Sequence, residues 1–350
     1  MAHKSSYTVF VKTGPACNAG CISCPSGSRR EVEPIPLMKA DMFARILDRI
    51  LEQGNIISVV LHYYNEPTLN PHMPYVIREA KKRKLDTRMS TNGSRPELLM
   101  RCYEEGIDNL IFSVSGFTQA IHERSHHGIS IDTVKQAMID VAKLRDEKFP
   151  GSYIKAGWHD YLYNRHEAHL MKQFCINNGI YFDSYQTSVL PLYVVTKRFY
   201  ELRSADNLPE LSPERDLLTK LPEAALMCKE RKHWECIYQN GMFAVDGNGS
   251  VSICPADISN EDNSNTYGNI FNINLKQFTE DRKKCSWCFR CKSVGAHVYG
   301  MQKYRTPITP MLELRRKAED IYRQLGLGHR FPKLSKFLGS LMYERPRGAV

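Results

Sequence analysis

The sequence predicts an α/β fold, a partial (β/α)6 barrel of the TIM type followed by a small cysteine-bearing domain. Three observations lead to this prediction. The first 190 residues alternate between strand-like and helix-like segments, which is the pattern of a parallel sheet with helical connections. After Pro191 the pattern changes to short strands and turns. Nine of the eleven cysteines fall into two groups, one in each of these regions.

Six segments rich in Val, Ile, Tyr and Phe are predicted as strands. They are residues 7–12, 56–62, 86–90, 109–114, 153–158 and 180–185. Helices are predicted between them at residues 39–53, from a cap at Ser94 to a stop at Gly106, at 131–148 and at 166–178. Six strand–helix repeats are fewer than the eight of a closed barrel, so the barrel is expected to be partial.

The composition changes divide the chain into four parts. Residues 1–190 are expected to form the barrel, 191–227 a polar linker containing prolines, 228–300 an auxiliary domain, and 301–350 a basic extension. A hairpin turn is predicted at Asp246-Gly247-Asn248-Gly249. The extension contains a helix-like run over residues 311–325, whose charges either face solvent or dock a partner.

Composition and charge narrow the classes of protein to consider. Hydrophobic residues make up 42% and charged residues 25% of the chain, which is ordinary for a soluble protein. No stretch approaches the roughly 20 apolar residues of a membrane span, and the N-terminus lacks an apolar signal region, so a cytoplasmic location is expected. The net charge of +10 favours an anionic partner or substrate. Because no nucleic-acid-binding motif is present, nucleic acid is the least favoured of these partners.

The first cysteine group points to a metal cluster. Grouped thiols in a reducing compartment favour metal sites over disulfides. Cys17, Cys21 and Cys24 lie in one short loop directly after the first predicted strand. Three thiolates can bind three irons of a cubane and leave the fourth iron open. A structural zinc ion takes four protein ligands, and this loop offers no fourth Cys or His.

The spacing of Cys17, Cys21 and Cys24 after a first strand resembles the CxxxCxxC motif of radical S-adenosylmethionine (SAM) enzymes. The resemblance implies a [4Fe–4S] cluster whose open iron chelates the amino and carboxylate groups of SAM. It further implies reductive cleavage of SAM to a 5′-deoxyadenosyl radical, which removes hydrogen from an unactivated carbon. A reducing partner such as flavodoxin or ferredoxin would supply the electron.

Small and polar residues follow the next predicted strands, at the end where parallel barrels carry their chemistry. The segment 65–67 (Asn-Glu-Pro) resembles the family's Gly-Gly-Glu-Pro segment, which contacts the SAM amino group, and the segment 91–93 (Thr-Asn-Gly) is similar to one that approaches the ribose. Ser115 stands where many relatives have Asp, and Arg124 follows where relatives have a charged loop near the SAM carboxylate. A solvent-facing helix surface is the competing interpretation of Arg124. The resemblance thus implies cofactor-binding roles for Asn65, Glu66, Thr91, Asn92, Ser113, Ser115 and Arg124.

The second cysteine group resembles the SPASM and twitch domains that follow radical SAM barrels. In that pattern a Cys is followed by a hairpin Gly with a Cys five residues on, and later by Cys-x-x-Cys. The resemblance implies at least one auxiliary [4Fe–4S] cluster with Cys236, Cys254, Cys285 and Cys288 as ligands. A zinc ribbon is the alternative.

Four further cysteines stand outside that ligand set. Cys228 and Cys291 have no place in a single four-ligand cluster. Three roles are open to each of them: replacing one of the four ligands, packing as a buried thiol, or donating a hydrogen atom to a substrate radical. Cys102 and Cys175 are expected to be buried core thiols.

Three functions fit these features. The first is a radical SAM oxidoreductase or epimerase acting on a small polar substrate such as a sugar, an aminocyclitol or a nucleotide-like molecule. The second is modification of a ribosomal peptide or protein, which is less favoured because the first predicted strand starts near residue 7 and leaves no room for a preceding peptide-recognition domain. The third is a non-catalytic iron–sulfur electron-transfer protein, which would explain the cysteines but not the polar strand ends.

Overall fold

The computed structural model describes residues 5–28, 35–189, 191–203, 214–257 and 265–302. Its strands form one sheet in the order β6-β5-β4-β3-β2-β1-β7-β8-β9. The strands are β1 (Ser6–Val11), β2 (Asn55–Val60), β3 (Asp86–Thr91), β4 (Asn109–Val114), β5 (Tyr153–Asp160), β6 (Tyr181–Gln186), β7 (Met242–Val245), β8 (Ser250–Ser252) and β9 (Thr266–Asn269).

Helices connect most of these strands. They are α1 (Pro25–Ser28), α2 (Ala40–Gln53), α3 (Met73–Lys82), α4 (Pro96–Tyr103), α5 (Gln119–His122), α6 (Ile131–Lys148), α7 (Ala168–Asn177), α8 (Leu192–Glu201), α9 (Leu221–Glu230), α10 (Leu275–Lys284), α11 (Ser286–Val294) and α12 (Ala296–Gly300). Short 3-10 turns lie at Pro67–Leu69 and Arg165–Glu167.

Strands β1 to β6 are parallel and lie side by side in chain order. Alternation along each strand separates two faces. On β4, Leu110, Phe112 and Val114 are fully buried in the main core, whereas Ile111 and Ser113 are partly exposed on the other, concave face. The α/β class and the partial TIM-like barrel predicted from the sequence are confirmed.

The cysteine-bearing region continues the barrel sheet. Strand β7 pairs in parallel with β1, with Thr8 opposite Met242 and Val11 opposite Val245. Strands β8 and β9 add antiparallel pairs beyond it. The turn between β7 and β8 lies where Asp246-Gly247-Asn248-Gly249 was predicted, and Gly249 has the positive φ of 83° that such a turn requires. β1 is thus an interior strand of the sheet.

The predicted strands and helices of the barrel are present, with ends that differ mostly by one or two residues. The helices that were not predicted include α3, α8 and α9. α3 has Pro74 as its second residue, where proline is tolerated, and α8 and most of α9 lie within the stretch interpreted as linker. In α8, Leu192, Val195 and Phe199 recur at helical spacing and are buried against α9, so a short amphipathic helix was taken for linker because of the prolines nearby. The helix expected over residues 311–325 lies outside the described residues.

Within the described parts of the chain, no helix combines the length and the apolar character needed to cross a membrane.

Candidate active site

The loop after β1 carries the first cysteine group. Its members are Cys17, Cys21 and Cys24, which form no disulfide and are all partly exposed. Backbone hydrogen bonds hold this loop from two sides, since Gly20 N donates to His127 O at 3.1 Å and Glu66 N donates to Ala16 O at 3.2 Å. The loop therefore extends from an interior strand and is fixed to the segments that follow β2 and β4.

The thiols of this loop share one electrostatic environment. Burial raises the pKa of Cys17 to about 11 and raises the pKa of Cys21 still further. The charges of Cys24 and Glu66 add to both rises. Thiolates held this close repel one another, and a cationic iron cluster between them would remove that cost. The donor set of the loop fits a cluster in this respect.

No three His, Cys, Asp or Glu side chains of the described ranges converge closely enough to hold a single metal ion. The ligands of a four-iron cubane stand farther apart than those of one ion.

Glu66 lies at the exit of β2, and only 3% of it is exposed. Its carboxylate accepts hydrogen bonds from Thr68 N (3.0 Å), Thr68 Oγ1 (2.6 Å), Thr91 Oγ1 (2.7 Å) and Asn92 N (2.7 Å). Burial raises its pKa, although these four donors oppose the rise. Glu66 is therefore a buried carboxylate beside the cysteine loop, and a cationic amino group is the ligand that such a position favours.

The turn before Glu66 has an unusual backbone. Tyr64 has a φ of 51°, in the left-handed region that few residues other than glycine adopt. The Asn65 side chain accepts a hydrogen bond from Tyr63 N at 3.0 Å and donates one to Thr13 Oγ1 at 2.7 Å. The Asn65 amide is thus engaged in contacts within the protein, and a bound cofactor would meet the backbone of this turn.

Asn92 joins the exit of β3 to the cysteine loop. Its amide nitrogen donates to Asn18 Oδ1 at 2.9 Å and lies 4.0 Å from Cys17 Sγ. Thr91 Oγ1, besides donating to Glu66, accepts a hydrogen bond from Gly93 N at 3.0 Å. The structure therefore brings together Cys17, Glu66, Thr91 and Asn92, which the sequence had assigned to the cofactor site.

The exit of β4 carries two serines in different surroundings. Ser113 faces the concave side, where its hydroxyl lies 3.0 Å from Ser90 Oγ on β3. Ser115 is fully buried, and its hydroxyl lies 2.7 Å from His126 Nδ1 and also contacts Ser125 Oγ. Ser113 is therefore exposed to the concave face, whereas the Ser115 side chain is enclosed by the loop that follows.

Sequence reasoning assigned no role to a group of histidines that is buried beside this site. The His122 and His126 rings stack at 4.7 Å, and the His126 ring meets the edge of His159 at 5.2 Å. His159 also contacts the Tyr185 ring at 5.0 Å. Burial lowers the pKa of His122 and His159 to about 4 and that of His126 still further, so all three are neutral at pH 7. The alternation of side chains along β5 could have indicated His159 from the sequence, because His159 lies on the same concave face as Lys155 and Gly157.

Arg124 contacts an aromatic ring and a carboxylate through its side chain. Its guanidinium covers the Tyr163 ring at 3.9 Å and lies 3.6 Å from Asp216 Oδ1. The side chain is about half exposed.

The second cysteine group surrounds a cavity next to the β7–β8 hairpin. Four thiols line this cavity: Cys236, Cys254, Cys288 and Cys291. The Cys285 thiol lies at the start of α11, where its Sγ accepts a hydrogen bond from Cys288 N at 3.3 Å. Cys228 is fully buried on α9 and does not line this cavity, although it belongs to the same apolar cluster as Leu192, Cys254 and Cys291. Cys102 and Cys175 are fully buried in the main core.

Tyr63 and Tyr64 lie between the two cysteine groups. The Tyr63 hydroxyl donates to Asp257 O at 2.8 Å and to Cys254 O at 3.5 Å. The two tyrosine rings meet at 5.0 Å in an edge contact. Burial raises the pKa of Tyr64, and the charges of Cys24 and Cys254 add to that rise, so its hydroxyl lies near both groups. The exit of β2 thus contacts the first site on one side and the second site on the other.

Comparison with known proteins finds matches to part of the barrel. Residues 11–154 match the family model described as the Radical SAM superfamily. Over 141 residues the chain is 26% identical to the tungsten-containing aldehyde ferredoxin oxidoreductase cofactor-modifying protein of Pyrococcus furiosus. That match covers 40% of this chain and only 39% of the curated relative.

Solved structures show the same fold at low sequence identity. Streptococcus suis SuiB bound to S-adenosylmethionine is 15% identical, with a TM-score of 0.55 over 83% of this chain and 72% of that one. The enzyme anSMEcpe with bound AdoMet is 14% identical, with a TM-score of 0.53 over 96% of this chain and all of that one.

Proposed function

Because residues 11–154 form a radical SAM domain, we propose that this protein cleaves SAM reductively and abstracts hydrogen from a small polar substrate. The observation that carries the proposal is the three-cysteine loop beside the buried Glu66 carboxylate. Three thiols are present for a cubane, and an anion lies next to them at the place where a cationic amino acid group would bind.

Each residue of the loop region then has a distinct task. When bound, the cluster and SAM supply a 5′-deoxyadenosyl radical, and an auxiliary cluster supplies an acceptor for one electron. Cys17, Cys21 and Cys24 hold the first cluster. Glu66 and the backbone of its turn bind the SAM amino group, and Thr91 and Asn92 keep that carboxylate oriented through their hydrogen bonds.

The concave face of the barrel supports a polar substrate. Ser90 and Ser113 place hydroxyls at its upper edge, and His159 and Tyr185 lie at the ends of β5 and β6. After hydrogen is abstracted from a carbinol carbon, loss of a proton and an electron gives dehydrogenation, whereas return of hydrogen to the other face gives epimerisation. Burial lowers the pKa of His159 to about 4, so its ring is neutral at pH 7 and would offer a polar substrate a hydrogen-bonding nitrogen rather than a strong base.

The net charge of the chain and the positions of Cys228 and Cys291 also bear on the proposed function. The net charge of +10 favours an anionic substrate and an acidic electron donor of the flavodoxin or ferredoxin type. Cys228 and Cys291 are packed in the same buried apolar cluster, and Cys291 also lines the second cavity, so Cys228 is the thiol left for a hydrogen-donor role.

Peptide or protein modification is a second candidate. Two proteins with a similar fold have been solved with peptides, SuiB bound to its precursor peptide SuiA and anSMEcpe with AdoMet and the Cp18Cys peptide. The peptides are ligands of those two proteins, and at 14–15% identity the two structures show only that the fold is shared.

Deuterium transfer separates these candidates. The anaerobically reconstituted protein is mixed with SAM, a reductant and perdeuterated sugars, aminocyclitols, nucleotides or peptides, and 5′-deoxyadenosine is analysed for deuterium. We expect deuterium from a small polar substrate. Deuterium from a peptide alone would establish the second candidate, and a cluster-loaded protein that forms no 5′-deoxyadenosine would be an electron-transfer protein instead.

A further inference from the structure

Cys285, Cys288 and Cys291 lie at or within α11. An auxiliary cubane that is already bound by Cys236 and Cys254 needs only two of these three thiols as further ligands. We propose that the second site uses Cys236, Cys254, Cys288 and Cys291 as its four ligands, and that Cys285 stays outside as the cap of α11. The inference rests on the proposed function insofar as the site holds an iron–sulfur cluster. It differs from the sequence-based expectation, which took Cys285 and Cys288.

The helix itself selects two of the three thiols. α11 spans Ser286–Val294, so Cys288 and Cys291 lie three residues apart on one face of a regular helix. Both are buried, at 9% and 6% exposure, whereas the neighbouring Phe289 is 73% exposed and marks the solvent side. The face that carries Cys288 and Cys291 is therefore the face that packs on the protein.

The other two thiols meet this face from the sheet side. Cys254 follows β8, and its backbone is held by Asn265, whose Oδ1 accepts from Cys254 N at 2.9 Å. Cys236 precedes β7 and is 7% exposed. The four thiols line one cavity together with Tyr238 and Lys292. A cubane with four thiolates is anionic, and the Lys292 ammonium supplies a nearby positive charge.

Cys285 has a different task in the structure. It is the residue before the first turn of α11, with extended φ and ψ of −69° and 144°, and its Sγ accepts the Cys288 backbone N–H. That contact satisfies one of the N–H groups that a helix leaves unpaired at its start. Cys285 is only partly buried and is absent from the lining of the cavity.

The far end of α11 keeps the helix from rotating to bring Cys285 inward. Gly295 ends the helix with a φ of 81°. Its Cα lies directly on the Cys228 backbone, where an added Cβ would come within 2.4 Å of the Cys228 carbonyl oxygen. Just beyond it, His297 Nε2 lies 2.8 Å from Trp234 O. With this end held against α9, the direction of Cys288 and Cys291 is set by packing.

Iron binding to the second site alone tests the proposal without any substrate. The parent is the full chain with Cys17→Ala, Cys21→Ala and Cys24→Ala, which leaves only the second group. After anaerobic reconstitution we expect about four irons per chain and the spectrum of a reduced cubane by electron paramagnetic resonance. Cys285→Ser, which keeps an oxygen as the helix cap, is then compared with Cys291→Ala and Cys291→Ser in the same parent.

The expected result is that Cys285→Ser retains the iron content and spectrum of the parent, whereas both Cys291 variants lose at least one iron. Loss of iron in Cys285→Ser, or full retention in the Cys291 variants, overturns the assignment. Cys175→Ala, a buried thiol remote from the site, controls for general effects on folding, and circular dichroism checks each variant. If the parent binds no iron while the natural chain cleaves SAM, the assignment fails and the proposed radical SAM function stands.

Discussion

Glu66 makes many of the hydrogen bonds that hold the first site together. It accepts four hydrogen bonds within the protein, and its own backbone N–H supports the cysteine loop through Ala16. The resemblance to the family's Gly-Gly-Glu-Pro segment identified this residue from sequence. Its partners Thr91 and Asn92 were also identified, because they follow the neighbouring parallel strand and strand exits lie together.

Replacing Glu66 by Gln is expected to weaken SAM binding at least tenfold, which corresponds to about 1.4 kcal/mol. The charge that faces the SAM amino group is removed, and the new amide N–H2 faces groups that are themselves donors. Equilibrium binding of SAM to the cluster-loaded protein measures the effect. Glu97→Gln, which changes an exposed carboxylate in the first turn of α4, is the control. Unchanged affinity in Glu66→Gln would remove this residue from the site.

The buried histidines predict a pH dependence of stability. His122 and His159 have folded-state pKa values lowered to about 4, so between pH 6.5 and 4 the unfolded chain binds protons that the folded chain does not. Their contribution is therefore fully present above pH 6.5 and is lost as the pH falls. Each of these two histidines should lower the free energy of unfolding by about 1 kcal/mol when the pH falls from 7.5 to 5.5. Urea denaturation of His159→Gln should show a weaker pH dependence than the natural chain, and the exposed His127→Gln should match the natural chain.

Among the elements, the exit of β2 connects the two cysteine groups. Ser26, two residues after Cys24, donates its hydroxyl to the Tyr64 carbonyl, and the Tyr63 hydroxyl reaches the carbonyls of Cys254 and Asp257. The strand and its Glu66 were predictable from the sequence, whereas this connection was not. The contact joins residues 63 and 257, and nothing local in either segment indicates a partner so distant along the chain.

Removing the Tyr63 hydroxyl is expected to disturb the second site and spare the first. Tyr63→Phe loses the hydrogen bond to the Asp257 carbonyl and should lower the free energy of unfolding by about 1 kcal/mol. The spectrum or reduction potential of the auxiliary cluster should shift, while SAM cleavage persists. Tyr75→Phe, in an exposed tyrosine of α3, provides the comparison. The same spectrum and stability in both variants would contradict a structural link through Tyr63.

At the scale of the whole molecule, the barrel and the cysteine-bearing region share one sheet. β1 pairs in parallel with β2 on one side and with β7 on the other. From sequence, the barrel strands were predictable because local alternation and helix ends mark them. The pairing of β7 with β1 was not, since register between segments more than 230 residues apart is decided by packing. The choice between Cys285 and Cys291 likewise depends on the helix face.

Arg282 is buried inside the cysteine-bearing region and links several of its segments. It is 1% exposed, and its guanidinium donates to the carbonyls of Met242, Ile253 (3.3 Å) and Gln239 (3.0 Å). The guanidinium also covers the Phe278 ring at 4.3 Å. One charged side chain therefore joins α10 to β7, to the residue after β8 and to the segment that precedes β7.

Arg282→Met is expected to cost about 3 kcal/mol of stability, because it leaves buried carbonyls without donors. Iron content at the second site should fall as its hairpin loosens, while the first site keeps its iron. Thermal unfolding and iron analysis measure both effects. Lys283→Met, a half-exposed position on the same helix, should behave like the natural chain. Equal stability of the two variants would show that Arg282 does not hold this region together.

The central claim is that one iron of the N-terminal cluster has no protein ligand and binds SAM. Electron–nuclear double resonance of the reduced, cluster-loaded protein with SAM labelled by 15N in its amino group and 17O in its carboxylate tests this most directly. We predict hyperfine coupling from both labels, present in the natural chain and absent in Cys24→Ala. A fully loaded N-terminal cluster that shows no coupling to either label would contradict the account.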